Sequence, residues 1–276
     1  MKDQFIIAYL ADLSMTQTVV SHAVHLARML NKGLILLYVE DPHFGVPSID
    51  SVEPQLKAIE ATIPDVHPAH VALKGSTVEV INALPTLLNG VVAVAGVDPN
   101  ARHGRPTHPR RVLSLFSQCK IAYLTVQKPL ADSSAYDSVA YSIDFNKESK
   151  EKLIWASYFA RFNHSRLLML HFQYTDSGLF TKWHNNILFM DKFFSGLGVT
   201  YQSHSLQGRA LFPETIACRT AAETGCGLLI SVTTDSRNRD VIEWFAGVQE
   251  DRTIRNPYSL PVMYINPRND IYVLCD

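Results

Sequence analysis

The sequence lacks most of the features that announce a function. Its 276 residues hold only four cysteines, Cys119, Cys218, Cys226 and Cys275, and no two of them form a CxxC pair. That usage supports neither a disulfide framework nor a metal knuckle, and it suits a reducing compartment. Charge of one sign is also missing: 25 Lys and Arg stand against 26 Asp and Glu, a formal net charge of −1. A dedicated nucleic-acid binder carries a basic excess, so nucleic acid is not an expected partner. No apolar run reaches the roughly 18 residues needed to cross a bilayer, and the patch after Met1-Lys2-Asp3-Gln4 is too short for a signal peptide. The expectation is a cytoplasmic protein with no membrane partner. There is no Gly-x-Ser-x-Gly elbow, no Walker A loop and no paired-carboxylate motif. The expectation is therefore a protein that is not an enzyme.

What is present is a core and a repeat. Hydrophobic residues make up 47% and charged residues 18%, enough apolar surface to fold and too little charge for global disorder. Residues 5–41 run through an apolar strand, an Asp, an amphipathic helix, Ala-Arg, a short stop and a second apolar strand, and residues 139–171 repeat that order. Ala27-Arg28 recurs as Ala160-Arg161 and Leu34 as Leu167, each 133 positions on. The offset grows to 137 between Gly90 and Gly227 and to 139 between Val126 and Ile265. An offset that widens only across loops marks a duplicated domain. The expected boundaries are a first domain over 1–129, a linker over 130–138 and a second domain over 139–276.

Each half reads as strands alternating with helices. Phe5–Leu10 is a continuous apolar run, as befits a central parallel strand covered on both faces. Val19, Val20, Ala23, Val24, Ala27 and Leu30 make one stripe of the helix that follows. Ser14 with Gln17 has the spacing of a capping box, and Asn31-Lys32-Gly33 forms a stop. Further strands are expected over Leu34–Val39, Ala69–Leu73, Val91–Val94 and Ile121–Val126. Ser76 with Glu79 caps a helix that ends near Gly90 and is bent by Pro85, and Arg110–Ser117 forms a short one. Segments 43–66 and 172–199 should be partly helical, and Ile271–Cys275 looks like one more strand. The fold class is α/β: two repeated, open, parallel-sheet domains with helices on both faces. Ligands of such sheets sit at the carboxyl ends of strands where strand order reverses. This directs attention to Ala11–Ser14, Val39–Asp41 and Gly96–Gly104, and in the second half to Asp144–Asn146, Phe172 and Thr233–Asp240.

With the strand-Asp-x-Ser opening at Ile6–Ser14, the Leu-Leu-Tyr-Val strand at Leu36–Val39 and the closing Pro-Val-Met-Tyr-Ile at Pro261–Ile265, the chain resembles the universal stress protein family in its tandem form. The resemblance implies a Rossmann-like fold of the adenine nucleotide alpha-hydrolase type, and a role in stress response or signalling. It also implies pairing of the two halves as an internal pseudo-dimer through Ile121–Val126 and Leu260–Ile265, with a homodimer of chains as an option. Nucleotide-binding members of that family use an Asp at the end of the first strand and a G-x2-G-x9-G-[ST] loop after the fourth. Asp12 and Asp144 match the Asp, and Ser14 and Asn146 the polar position after it. The glycine loop does not match. Counting back from Gly247, the earlier glycine positions hold Thr234 and Arg237, and the hydroxyl position holds Val248. No register of the stretch after Gly96 recovers the pattern in the first half.

In place of glycines the first-half loop reads RHGRPTHPRR over residues 102–111, with Arg102, Arg105, Arg110 and Arg111. Guanidinium groups can hold a phosphate by charge and fork geometry, as a glycine nest does with backbone N–H groups. Two readings stand side by side. In one, the chain binds a ligand or partner without standard ATP binding, Asp12 and Asp144 serve as polar strand ends, and the arginines are a solvated loop or pair with acids. In the other, it binds ATP or AMP, or is a slow ATPase, through Asp12, Ser14, Val39, Gly96, Arg102 and Arg105, and through Asp144, Asn146 and Gly247 in the second half. His22 and His25 share a helix face but lack a third ligand at metal-binding spacing. Trp155, Tyr158, Phe159 and Phe162 fall at helical spacing and read as core or as a surface where the halves meet.

Overall fold

The computed structural model describes residues 4–130, 136–206, 213–233 and 250–266. The chain divides into two compact units, Met1–Asp132 and Ser133–Asp276, a division that falls inside the segment between the two copies of the repeat. The expected second-half loop with Arg237, Arg239 and Gly247, and the strand-like tail over Ile271–Cys275, lie outside the described residues.

The first unit alternates β1 (Phe5–Tyr9), α1 (Thr16–Leu30), β2 (Gly33–Glu40), α2 (Ile49–Ala61), β3 (Pro68–Lys74), α3 (Thr77–Leu87), β4 (Gly90–Gly96), α4 (Pro109–Phe116) and β5 (Ala122–Val126). Its strands lie in the order β3-β2-β1-β4-β5, and every pairing is parallel. The chain steps one way from β1 to β3 and then crosses back to β4. Right-handed crossovers therefore set α1 and α2 on one face and α3 and α4 on the other. With both faces covered, Ile6, Ile7, Ala8, Leu34, Leu36, Leu37, Val92, Ala93 and Val94 are fully buried, which is why these strands read as unbroken apolar runs.

The second unit repeats the order with β6 (Ser138–Ser142), a 3₁₀ turn (Lys147–Lys150), α5 (Glu151–Phe162), β7 (Arg166–His171), α6 (Ser177–Leu197), β8 (Tyr201–Ser205), α7 (Pro213–Glu223), β9 (Leu228–Val232) and β10 (Val262–Ile265). Its strands are ordered β8-β7-β6-β9-β10, again all parallel. Strand order reverses at β1 in one unit and at β6 in the other. Pro213 opens α7, where its missing N–H costs nothing, and Gly225 beyond its end takes a φ of +74°, a region costly to a residue with a Cβ.

One local expectation is corrected. Ser14 does not cap α1: the chain turns at Leu13, whose φ is +63°, so the helix begins at Thr16 behind Met15 with no side-chain cap, and the Ser14 hydroxyl donates to Asp12 instead. The helix expected to end near Gly90 does so at Leu87, two residues after Pro85, and Asn89 takes a left-handed φ of +47°. Pro85 has no N–H for the carbonyl of Ile81; the Cys119 thiol donates to that carbonyl at 3.2 Å. The other stops behave as their residues dictate. Asn31 closes α1 at a φ of +51°, and Ser76 accepts from the Glu79 N–H at the head of α3.

Of the aromatic stripe on α5, Phe159 is core, whereas Phe162 is 47% exposed and stands beside Tyr158, which in turn packs edge-on to Trp155.

Candidate functional site

In the first unit, strand order reverses at β1, and the crevice at its carboxyl end gathers residues from three loops. Asp12, just past β1, accepts the Ser14 backbone N–H at 3.1 Å in a turn closed by its own side chain. Arg105, on the loop between β4 and α4, donates to the other carboxylate oxygen of Asp12 at 2.9 Å. The Asp12 side chain is 6% exposed and that of Arg105 60%, so the guanidinium lies over the carboxylate like a stopper. Gly96 ends β4 directly beneath: a Cβ there would stand 2.8 Å from Met15 Cβ and 3.1 Å from a Val19 methyl. The structure thus brings Asp12, Ser14, Gly96 and Arg105 together. Val39 lies two strand positions beyond Leu37, whose carbonyl accepts the Leu10 N–H, and is 3% exposed. Arg102 stays exposed on the outside of the loop. The remaining basic residues find other work. Arg111 stacks on the Phe44 ring at 4.0 Å, and the His103 and His108 rings lie 4.4 Å apart.

The room left at this point is small. The cavity between Tyr9, Asp12, Met15, Gly96 and Thr107 measures about 10 Å³, close to the space of one water molecule. Small-molecule sites run to roughly 300–1,000 Å³. As arranged, the space enclosed between these residues is too small to take a nucleotide. Asp41, at the end of β2, was within the segments singled out by the sequence and has a structural task. Burial would push its carboxyl up, but N–H groups donated by Thr77 (2.8 Å) and His43 (3.0 Å) outweigh that and hold it low. Asp41 thereby anchors the head of α3.

In the second unit Asp144 repeats the turn seen at Asp12. Its carboxylate accepts the Asn146 N–H at 2.8 Å and the Asn146 side-chain amide at 2.9 Å, and the Ser149 hydroxyl also donates to it. Asn186 of α6 donates to the carbonyls of Asp144 (2.8 Å) and Asn146 (2.9 Å), locking the turn from the neighbouring helix. Sequence reasoning missed Asn186, whose neighbours on α6 gave no motif.

It also missed a polar quartet beside that turn, three of its members buried and Glu214 partly exposed. Ser142 ends β6, Ser231 lies on β9, Lys152 sits in the first turn of α5 and Glu214 in the first turn of α7. Lys152 Nζ donates to Ser142 Oγ at 2.7 Å and to Glu214 Oε1 at 3.2 Å; Ser142 and Ser231 donate to the two Glu214 oxygens at 2.7 and 3.0 Å. The Lys152 side chain is only 2% exposed. The 133-residue offset equates Ser142 with Tyr9 and Lys152 with Val19. Strand register equates Ser231 with Ala95. The signal was there: a lysine on a helix stripe where the other copy of the repeat keeps a valine. Nearby, burial and then the Glu214 carboxylate push the Cys218 thiol up to about 12, so it stays protonated.

Among the described residues no group of three or more His, Cys, Asp or Glu could hold a metal ion. His22 is buried and its Nε2 faces the Lys128 carbonyl at 3.0 Å. Burial first, and then the neighbouring His25, pull its pKa down to about 4 against that hydrogen bond. No helix among the described residues is long and apolar enough to cross a membrane.

No family model and no curated protein matches the sequence. Solved structures do match the fold. A universal stress protein from Archaeoglobus fulgidus superposes with a TM-score of 0.68 at 14% identity, over 96% of this chain and 97% of its own. The chain has the universal stress protein fold. A functionally unknown protein from Pseudomonas aeruginosa is similar over 99% of this chain and 96% of its own, at 13% identity and a TM-score of 0.65. The cytoplasmic domain of a prokaryotic cation chloride cotransporter is similar over 96% and 95%, at 11% identity and a TM-score of 0.58. At 11–14% identity these likenesses show the fold alone, and the function must be argued from the residues of this chain.

Proposed function

We propose that this chain is a tandem universal stress protein of the cytoplasm that serves stress response or signalling by binding a ligand or partner, without catalysis and without the glycine-loop ATP binding that the sequence resemblance would imply. The observation that carries the reading is the first-unit crevice: Asp12 is covered by Arg105, and the space beneath is that of about one water molecule. The pairing of the two halves as an internal pseudo-dimer, and of chains as a homodimer, belongs to the same proposal and rests on the sequence duplication.

The test is calorimetric titration with ATP and AMP in the presence of magnesium, on the wild type and on Asp12→Ala and Arg105→Glu. The expected outcome is no heat that either substitution removes. A second reading has one observation in its favour, the arrival of Arg105 at Asp12, where a swing of the guanidinium onto a phosphate would free the carboxylate for a ribose. Micromolar binding abolished by both substitutions would establish that reading and overturn the first.

A further inference from the structure

A ligand-sized hollow among the described residues lies away from the strand-order reversals. At the amino-terminal edge of β7 and β8 in the second unit, a cavity of about 580 Å³ opens between the turn that leaves α5 and the turn that leaves α6. Its volume falls within the range of small-molecule sites, whereas the crevice at Asp12 does not. Its lining includes Arg161, His164 and Arg166 together with Thr200, Tyr201 and Gln202, and no carboxylate.

The duplication shows that the fold does not require this chemistry. The positions 133 residues earlier hold Arg28, Asn31 and Gly33, so one of three basic residues has a counterpart in the first half. Both turns are held in shape by left-handed residues, His164 at a φ of +56° and Gly198 at +65°. The acids nearby are otherwise occupied or lie outside the lining. Asp191 accepts the Tyr201 hydroxyl at 2.5 Å, and Asp137, which meets Arg166 through backbone groups (N–H to carbonyl, 2.7 Å), is not among the residues that line the cavity. Among the described residues neither Arg161 nor Arg166 makes an ion pair; Arg161 lies against the Phe162 ring at 5.2 Å. Two helix C-termini face this edge and, by their dipoles, oppose an anion. Arg161, in the last turn of α5, answers one of them, and α6 carries no basic residue in its last turn, so Arg166 and His164 are the basic groups left to face both the second helix end and the cavity.

We infer that this cavity binds a small soluble ligand bearing a phosphate or diphosphate group, held by the guanidinium groups of Arg161 and Arg166 with His164, Thr200 and Gln202 as further hydrogen-bond partners. The inference adds a site to the proposed function and does not use Asp12 or Arg105.

Inorganic pyrophosphate is the probe, titrated into the full chain at low ionic strength and followed by calorimetry and thermal shift. Binding should weaken about tenfold or more in Arg161→Gln/Arg166→Gln and vanish in Arg161→Glu/Arg166→Glu, and it should fade with added salt. All three arginine positions concerned, including the control Arg219→Glu on α7, are exposed, so the folds should survive; the control should bind like the wild type. Absence of pyrophosphate binding, binding insensitive to the paired substitutions, or binding to anionic phospholipid vesicles without binding to pyrophosphate would each overturn the inference. Any nucleotide heat removed by Asp12→Ala belongs to the first-unit crevice, and heat removed by the Arg161/Arg166 pair belongs here, so the two ideas fail separately.

Discussion

Lys152 carries a positive charge into a place where its counterpart in the first half, Val19, carries none. Burying an ammonium is tolerable only because Glu214 and Ser142 receive it within 3.2 Å. Removing one partner should therefore hurt far more than removing both. Lys152→Met takes the ammonium away from the Glu214 carboxylate and leaves two serine hydroxyls and that carboxylate around an apolar side chain, and should cost about 3–5 kcal/mol. Lys152→Val combined with Glu214→Gln should recover most of that loss, since a packed apolar replacement of a buried pair is often neutral. Urea denaturation would check this through a shift of midpoint at constant slope. Equal losses in the single and double variants would show that the quartet is not an ion-pair unit. Asp12 illustrates the opposite case. The residue was legible from its place after the first strand; its engagement by Arg105, 93 positions away, was not, because a surface loop of four arginines does not say which of them will turn inward.

Helix ends were read from sequence with mixed success, and the reasons are local. Asn31 and Gly225 were legible because left-handed φ values belong to few residue types. Ser14 misled, since its hydroxyl had a carboxylate two residues away and the chain turned early at Leu13. The close contact between β4 and α1 offers a test at this scale. Gly96→Ala places a Cβ 2.8 Å from Met15 Cβ, so strand and helix must part, at about 1–3 kcal/mol. Because the clash is with Cβ, Met15→Ala should not relieve it, whereas Met15→Gly should recover part of it. Thermal unfolding of the three variants would check the order, and relief by Met15→Ala would place the strain at the Met15 sulfur instead, 3.0 Å from the same point. The glycine was legible as a candidate binding residue after the fourth strand; its packing role beneath α1 was not, since it depends on the register of β1 against β4.

At the scale of the whole molecule, a net charge of −1 leaves no large field to dominate its behaviour with pH, so individual buried groups should show. His22 is the clearest. Folded, it titrates near 4; unfolded, near 6.5, so the unfolded chain binds the proton first as pH falls. Stability is therefore steady above about pH 7 and declines between 6.5 and 4, by up to about 3 kcal/mol. His22→Gln, which keeps a donor for the Lys128 carbonyl, should flatten that decline in denaturation measured at stepped pH; an unchanged slope would show that other groups carry it. The sequence by itself determined the duplication, the element order and the parallel α/β class, because apolar periodicity, turn residues and a constant offset are properties of neighbours along the chain. Only the tertiary structure decided that Arg105 covers Asp12, that a lysine and a glutamate 62 positions apart meet in the second half, and that the ligand-sized cavity opens at the strands' amino ends. Those facts depend on which side chains from distant segments reach the same point and how much room they leave, and packing in three dimensions sets both.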